Sequence, residues 1–168
     1  PWRTDGRFFW MFEYYGFEKV ALLDGGLDSW KRAGKNTQMG LQNLTTEYKL
    51  TPSNIKLNYS VIADKDMILN NLLNNSMTFI DNRTRNEFDG ATPYGSPRGG
   101  HIPNAIHIHW PEFFQVDGNL KTLHALNSLL KQNEIQPNQE VIVYCTGGVR
   151  SAMAYFVFRY LGYKVRNY

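Results

Sequence analysis

The sequence predicts an α/β fold, a mostly parallel sheet flanked by helices on both faces. Three observations carry that prediction. Short continuous apolar runs alternate with longer helical stretches, the runs are followed by Gly, Asp or polar residues, and one run passes through a glycine loop straight into a helix. With 168 residues, 42% hydrophobic and 14% aromatic, the chain holds material for a packed core.

The elements follow in order. Residues 7–17, RFFWMFEYYGF, are almost continuously aromatic and fit a buried helix ending at Gly16. Val20-Ala21-Leu22-Leu23, closed by Asp24-Gly25-Gly26, reads as a buried parallel strand. Leu27 to Ala33 reads as a short helix stopped by Gly34. From Gly34 to about Tyr59 the chain turns polar and loses periodicity, as a linker does, with room for one extended segment. Val61 to Leu73 carries Ile62, Met67, Ile68, Leu69, Leu72 and Leu73 at helical spacing. Met77 to Ile80 is a buried strand that delivers Asp81 and Arg83 at its carboxyl end. Residues 89–100, rich in Gly and Pro, form a loop, and Ala105 to His109 another strand. Leu120 to Leu130 is a helix with Leu123, Leu126, Leu129 and Leu130 on its apolar side. Val141 to Tyr144 is the most strand-like run, and the helix Ser151–Leu161, closed by Gly162, follows its loop.

Composition removes several function classes. The net charge of +3 is too small, and Lys and Arg too dispersed, for a nucleic-acid partner. No run of 18 apolar residues occurs, so no membrane-spanning helix is expected. The chain opens at Pro1 with no visible signal peptide, and a cytoplasmic location is the working expectation. Cys145 is the one cysteine, which excludes an intrachain disulfide and a multi-cysteine metal cage. Between Val141 and Tyr168 stand Arg150, Arg159, Lys164 and Arg166 with no acidic residue, an excess expected to favour a thiolate and an anionic ligand.

Cys145 lies where α/β sheets gather ligands, beyond the carboxyl end of a strand. Thr146, Gly147, Gly148, Val149, Arg150 and Ser151 follow it into the helix. Glycines let successive N–H groups converge as an anion-binding nest, and the helix N-terminus adds its own. A sulfur there is held as an anion, with its pKa lowered. Four residues separate Cys145 from Arg150. Cysteine phosphatases use a wider loop, so this one suits a single sulfur atom carried on the cysteine better than a phosphate.

Here the sequence resembles the rhodanese family of sulfurtransferases. VIVYCTGGVRSA at 141–152 matches the persulfide-forming loop, FIDNRTRNEFDG at 79–90 and GHIPNA at 100–105 match the segments before it, and VALLDGGLDSW at 20–30 matches a domain's closing segment. A closing segment ahead of opening segments resembles part of a tandem thiosulfate/3-mercaptopyruvate-type protein. The expected division is a first domain's tail at 1–34, a linker at 35–57, and at 58–168 a second, catalytic domain lacking its closing Gly-Ser-x-x-x-Trp-like segment.

The resemblance implies that Cys145 takes sulfur from a small anionic donor such as thiosulfate. It passes that sulfur to cyanide or a thiol, a protein thiol included, with no metal or organic cofactor. Glu87 stands where tandem eukaryotic enzymes place a substrate-binding arginine, which leaves Arg98 and Arg150 as substitutes. Arg150 is expected to fork toward the donor's sulfonate or to brace loop carbonyls, while Asp81 and Arg83 organise the loop. His101 reads as a turn tie, His107 and His109 as structural, and Trp110, Phe113 and Phe114 as candidates for a pocket wall. The competing readings are a binding or sensor module without turnover and a phosphatase-like enzyme.

Overall fold

The computed structural model describes residues 4–40, 55–73 and 77–168. Its elements are α1 (Asp5–Tyr14), α2 (Gly26–Arg32), α3 (Lys65–Asn71), β1 (Met77–Asp81), α4 (Arg85–Phe88), β2 (Ile106–His107), α5 (Leu123–Gln132), β3 (Glu140–Tyr144), α6 (Val149–Tyr160) and β4 (Val165–Asn167). Single 3-10 turns at Tyr59–Val61 and Trp110–Phe113 complete the set. The strands form one sheet in the order β2-β1-β3-β4, and every pairing is parallel.

Strand periodicity divides the core in two. Ile80, Val141 and Val143 face one side and pack with Phe9 of α1, Leu126 and Leu130 of α5, and Ala154, Tyr155, Val157 and Phe158 of α6. Phe79, Ile142 and Tyr144 face the other, against Ile68 of α3 and Ala63 just before that helix. Helices therefore cover both faces, as expected of a parallel sheet. The β1–β3 register sets Asp81 opposite Tyr144, so the chain leaves both strands at one edge of the sheet, where Cys145 emerges.

Several boundaries moved, each for a local reason. The strand expected at Val20–Leu23 is absent: it pairs with nothing among the described residues, and Ala21 and Leu23 are exposed while Leu22 packs on the core. Its turn is held instead by Asp24, whose carboxylate accepts from the Leu120 N–H at 2.7 Å. The aromatic helix is buried along one stripe only. Gly6 and Phe9 are covered, whereas Phe8 and Phe12 are exposed. The helix expected from Val61 begins at Lys65, because Asp64 caps it by accepting from Met67 N–H at 2.7 Å. The helix expected from Leu120 begins at Leu123 behind the Thr122 cap. The strand over 105–109 keeps two ladder residues, and α6 starts two residues early, at Val149. α2 and its Gly34 stop, at φ +68°, match the expectation. Of the linker expected at 35–57, residues 41–54 lie outside the described residues.

Candidate active site

Cys145 follows β3 and is half-buried. Thr146 to Gly148 turn the chain into α6, and Gly148 makes the turn with φ +75° as the residue before the helix. Space is not the reason for glycine there, since a Cβ would meet nothing within 4 Å; the left-handed backbone is. The turn brings the Gly148 N–H to 3.1 Å from Cys145 Sγ, and Ser151 Oγ donates from 3.4 Å. Burial pushes the thiol pKa up. Hydrogen bonds from Ser151 and the loop backbone, together with the Arg150 charge, outweigh it and hold the pKa below the ordinary thiol value.

Arg150 departs from its expected role. Its guanidinium forks on neither an open ligand site nor loop carbonyls but on Glu87, with Nη1 to Oε2 at 2.7 Å and Nη2 to Oε1 at 2.8 Å. Both side chains are buried, at 7% and 4% exposure, and an unpaired guanidinium at that depth would be costly. Thr146 Oγ1 donates to Glu87 Oε1 at 3.1 Å and accepts from Arg150 Nη2 at 3.1 Å. Thr84 completes the network through its N–H at 3.0 Å and its hydroxyl at 2.8 Å, both to Glu87 Oε2. The Arg150 guanidinium, aided by Thr84, holds the Glu87 carboxyl well below the usual carboxylate range despite its burial.

Asp81 is fully buried and accepts from Arg83 N–H, Nε and Nη2, and Arg83 Nη2 also donates to the Gly100 carbonyl at 2.7 Å. That pair ties β1 to the Gly/Pro loop. Arg98 is exposed and lines neither cleft that borders Cys145. His101 stacks on Phe88 at 3.6 Å, with Nδ1 2.8 Å from the Phe88 carbonyl, and His107 Nε2 sits 2.8 Å from the Arg83 carbonyl. Phe113 is fully buried against Phe158, and Phe114 lines a separate cavity with Leu22 and Tyr160. Trp110 packs on Phe114, so this aromatic group walls no cleft at the cysteine.

Two clefts meet at Cys145. The larger, about 570 Å³, is lined by Arg7, Trp10, Arg83, Thr146, Gly148 and Asn167 among others. The other lies across the loop, with Tyr94, Gly147, Val149 and Arg150 in its wall. The basic excess expected around the cysteine is cancelled by carboxylates from earlier in the chain. Arg150 pairs with Glu87, Arg159 with Glu13, and both Lys164 and Arg166 with Glu140.

Residues 65–168 match the family described as Rhodanese-like domain. The chain belongs to the rhodanese-like family. Among curated proteins it is similar to a thiosulfate sulfurtransferase of Corynebacterium glutamicum, 33% identical over 95% of this chain and 55% of that protein. It is also similar to the sulfur carrier protein TtuD of Thermus thermophilus, 31% identical over 95% of this chain and 59% of that one. It thus spans rather more than half the length of either relative. Among solved structures it resembles SseA of Escherichia coli, described under 3-mercaptopyruvate sulfotransferases. The TM-score is 0.81 at 28% identity, covering 97% of this chain and 60% of SseA.

Within this rhodanese-like domain, Glu87 and Arg7 escaped sequence reasoning as site residues. A signal for Glu87 was present: Thr84 and Glu87 have the spacing of a capping box, which α4 forms. Arg7 sits more than 100 positions before the cysteine, and only the packing of α1 on α6 brings it to the cleft.

Proposed function

We propose that this rhodanese-like chain takes part in sulfur transfer, with Cys145 carrying the sulfur as a persulfide. The observation that supports this most is the sulfur's setting, with the Gly148 N–H and the Ser151 hydroxyl on Sγ at the start of α6. The same two donors suit a thiolate and a persulfide anion alike.

In the first half-reaction the Cys145 thiolate attacks the outer sulfur of thiosulfate or a similar anionic donor. A new S–S bond forms, the donor's S–S bond breaks, and its electron pair leaves with sulfite. In the second, cyanide or a thiolate attacks the outer persulfide sulfur and restores the Cys145 thiolate. Thr146, Gly147, Gly148, Val149, Arg150 and Ser151 form the cradle, with Asp81 and Arg83 as its brace and no cofactor needed. The same reading assigns residues 1–34 to the tail of a preceding rhodanese-like unit and 58–168 to the catalytic one, joined by 35–57.

Mass spectrometry after thiosulfate treatment tests it. The Cys145 peptide should gain one sulfur, about 32 Da, that cyanide then removes. Absence of the adduct, or thiocyanate formation undiminished in Cys145→Ser, would reject the proposal.

A further inference from the structure

An anionic donor needs a cation near the sulfur, and the cations expected from the sequence are committed or misplaced. Arg150 is forked on Glu87 in the interior. Arg83 is chelated by Asp81 and spends a further N–H on Gly100. The Thr146 hydroxyl belongs to the same Glu87 network, and Arg98 lines neither cleft. One guanidinium in the large cleft remains. Arg7 lines it together with Cys145, is exposed, and has no carboxylate partner among the described residues.

Its position is held by packing. Arg7 and Trp10 are three residues apart on α1, hence on one face, and both line the cleft. The Trp10 indole donates to the Val61 carbonyl at 3.1 Å, and Glu13 receives the Tyr155 hydroxyl at 2.5 Å and the Arg159 guanidinium at 3.1 Å. Helix α1 is therefore fastened to α6 and to the turn before α3. A second mark of a polar ligand lies in the same cleft. Asn167, 6% exposed, lines it with a buried Oδ1 that has no hydrogen-bond partner among the described residues.

We propose that Arg7 binds the anionic group of the sulfur donor in the cleft over Cys145, an assignment that rests on the sulfur-transfer reading for the identity of the anion. A guanidinium presents paired N–H donors to two oxygens of a sulfonate or carboxylate. Its positive charge also lowers the repulsion between an approaching anion and the thiolate. Residues 1–34 would then complete the site that residues 58–168 begin.

Alkylation of the full chain tests the site without assuming sulfur transfer, because Cys145 is the only thiol. Iodoacetate carries the anion and iodoacetamide is its neutral control. Arg7→Ala should lower the iodoacetate-to-iodoacetamide rate ratio roughly three- to tenfold. It should also raise the thiosulfate concentration giving half-maximal persulfide about tenfold. Arg7→Lys should restore most of the ratio, and Lys131→Ala, which removes one charge outside the cleft, should leave both readouts unchanged. An unchanged ratio in Arg7→Ala overturns the assignment. A ratio that falls while the wild-type chain forms no persulfide overturns the sulfur-transfer reading and leaves the anion site standing.

Discussion

Glu87 and Arg150 come from 63 positions apart and meet in the interior, with Thr84 and Thr146 on the remaining carboxylate positions. Removing one partner strands the other. We predict that Glu87→Gln costs about 3 kcal/mol in urea denaturation, and an unchanged midpoint would contradict a buried pair. The folded pKa of Glu87 lies below its unfolded value, so the pair's contribution is complete above the unfolded value of about 4.3 and is lost as pH falls from there toward the folded value. Wild-type stability should accordingly decline more steeply than that of Glu87→Gln on acidification from about pH 6 to about pH 3. For Cys145 the direction is also downward: its alkylation should titrate below an ordinary thiol, and Ser151→Ala should move the midpoint up. A midpoint indifferent to Ser151→Ala would assign the shift to the backbone and Arg150 alone. The cysteine loop was legible because strand, glycines and helix are contiguous. The Glu87 pair was not, because it closes across the carboxyl edge of the sheet, and nothing local announces a partner so distant.

At the scale of elements, the contact of α1 with α6 is close enough to reverse an intrinsic preference. Gly6 lies inside α1, where alanine is favoured by roughly 1 kcal/mol on helix propensity. A Cβ there would lie 2.6 Å from Met153 Cα, backbone that cannot swing aside. Gly6→Ala is therefore expected to destabilise by about 1–3 kcal/mol in thermal or urea unfolding, and a stabilised variant would show that the helices are not in contact. The strands Met77–Asp81 and Glu140–Tyr144 and the Gly34 stop of α2 declared themselves through apolar runs and a terminal glycine. The four-residue α4 and three-residue β4 did not. β4 draws its register from β3, with Val165 opposite Val141, and Val165 is the one apolar side chain among its three residues. Val20–Leu23 shows the converse error: an apolar run is a strand only where a neighbour offers its edge, and here its Leu22 packs as a plug instead.

Across the whole molecule, charge that is lopsided along the chain is balanced in space. Four basic residues of the last 28 meet Glu87, Glu13 and Glu140. No described helix is long and apolar enough to cross a membrane. The Glu13 contact is also a tether, since it joins α1 to Tyr155 and Arg159 of α6. Glu13→Ala should leave the buried Tyr155 hydroxyl unsatisfied, lower stability by about 1–2 kcal/mol, and speed amide exchange over residues 5–14. Unaltered exchange there would mean that apolar packing alone holds the helix. Trp10 gives this docking an optical consequence. Its indole is anchored to the Val61 carbonyl and its ring borders the cleft that reaches Cys145. Its fluorescence therefore samples the wetness of that cleft, and a molecule that displaces water from it should change the emission colour and lifetime with no label attached.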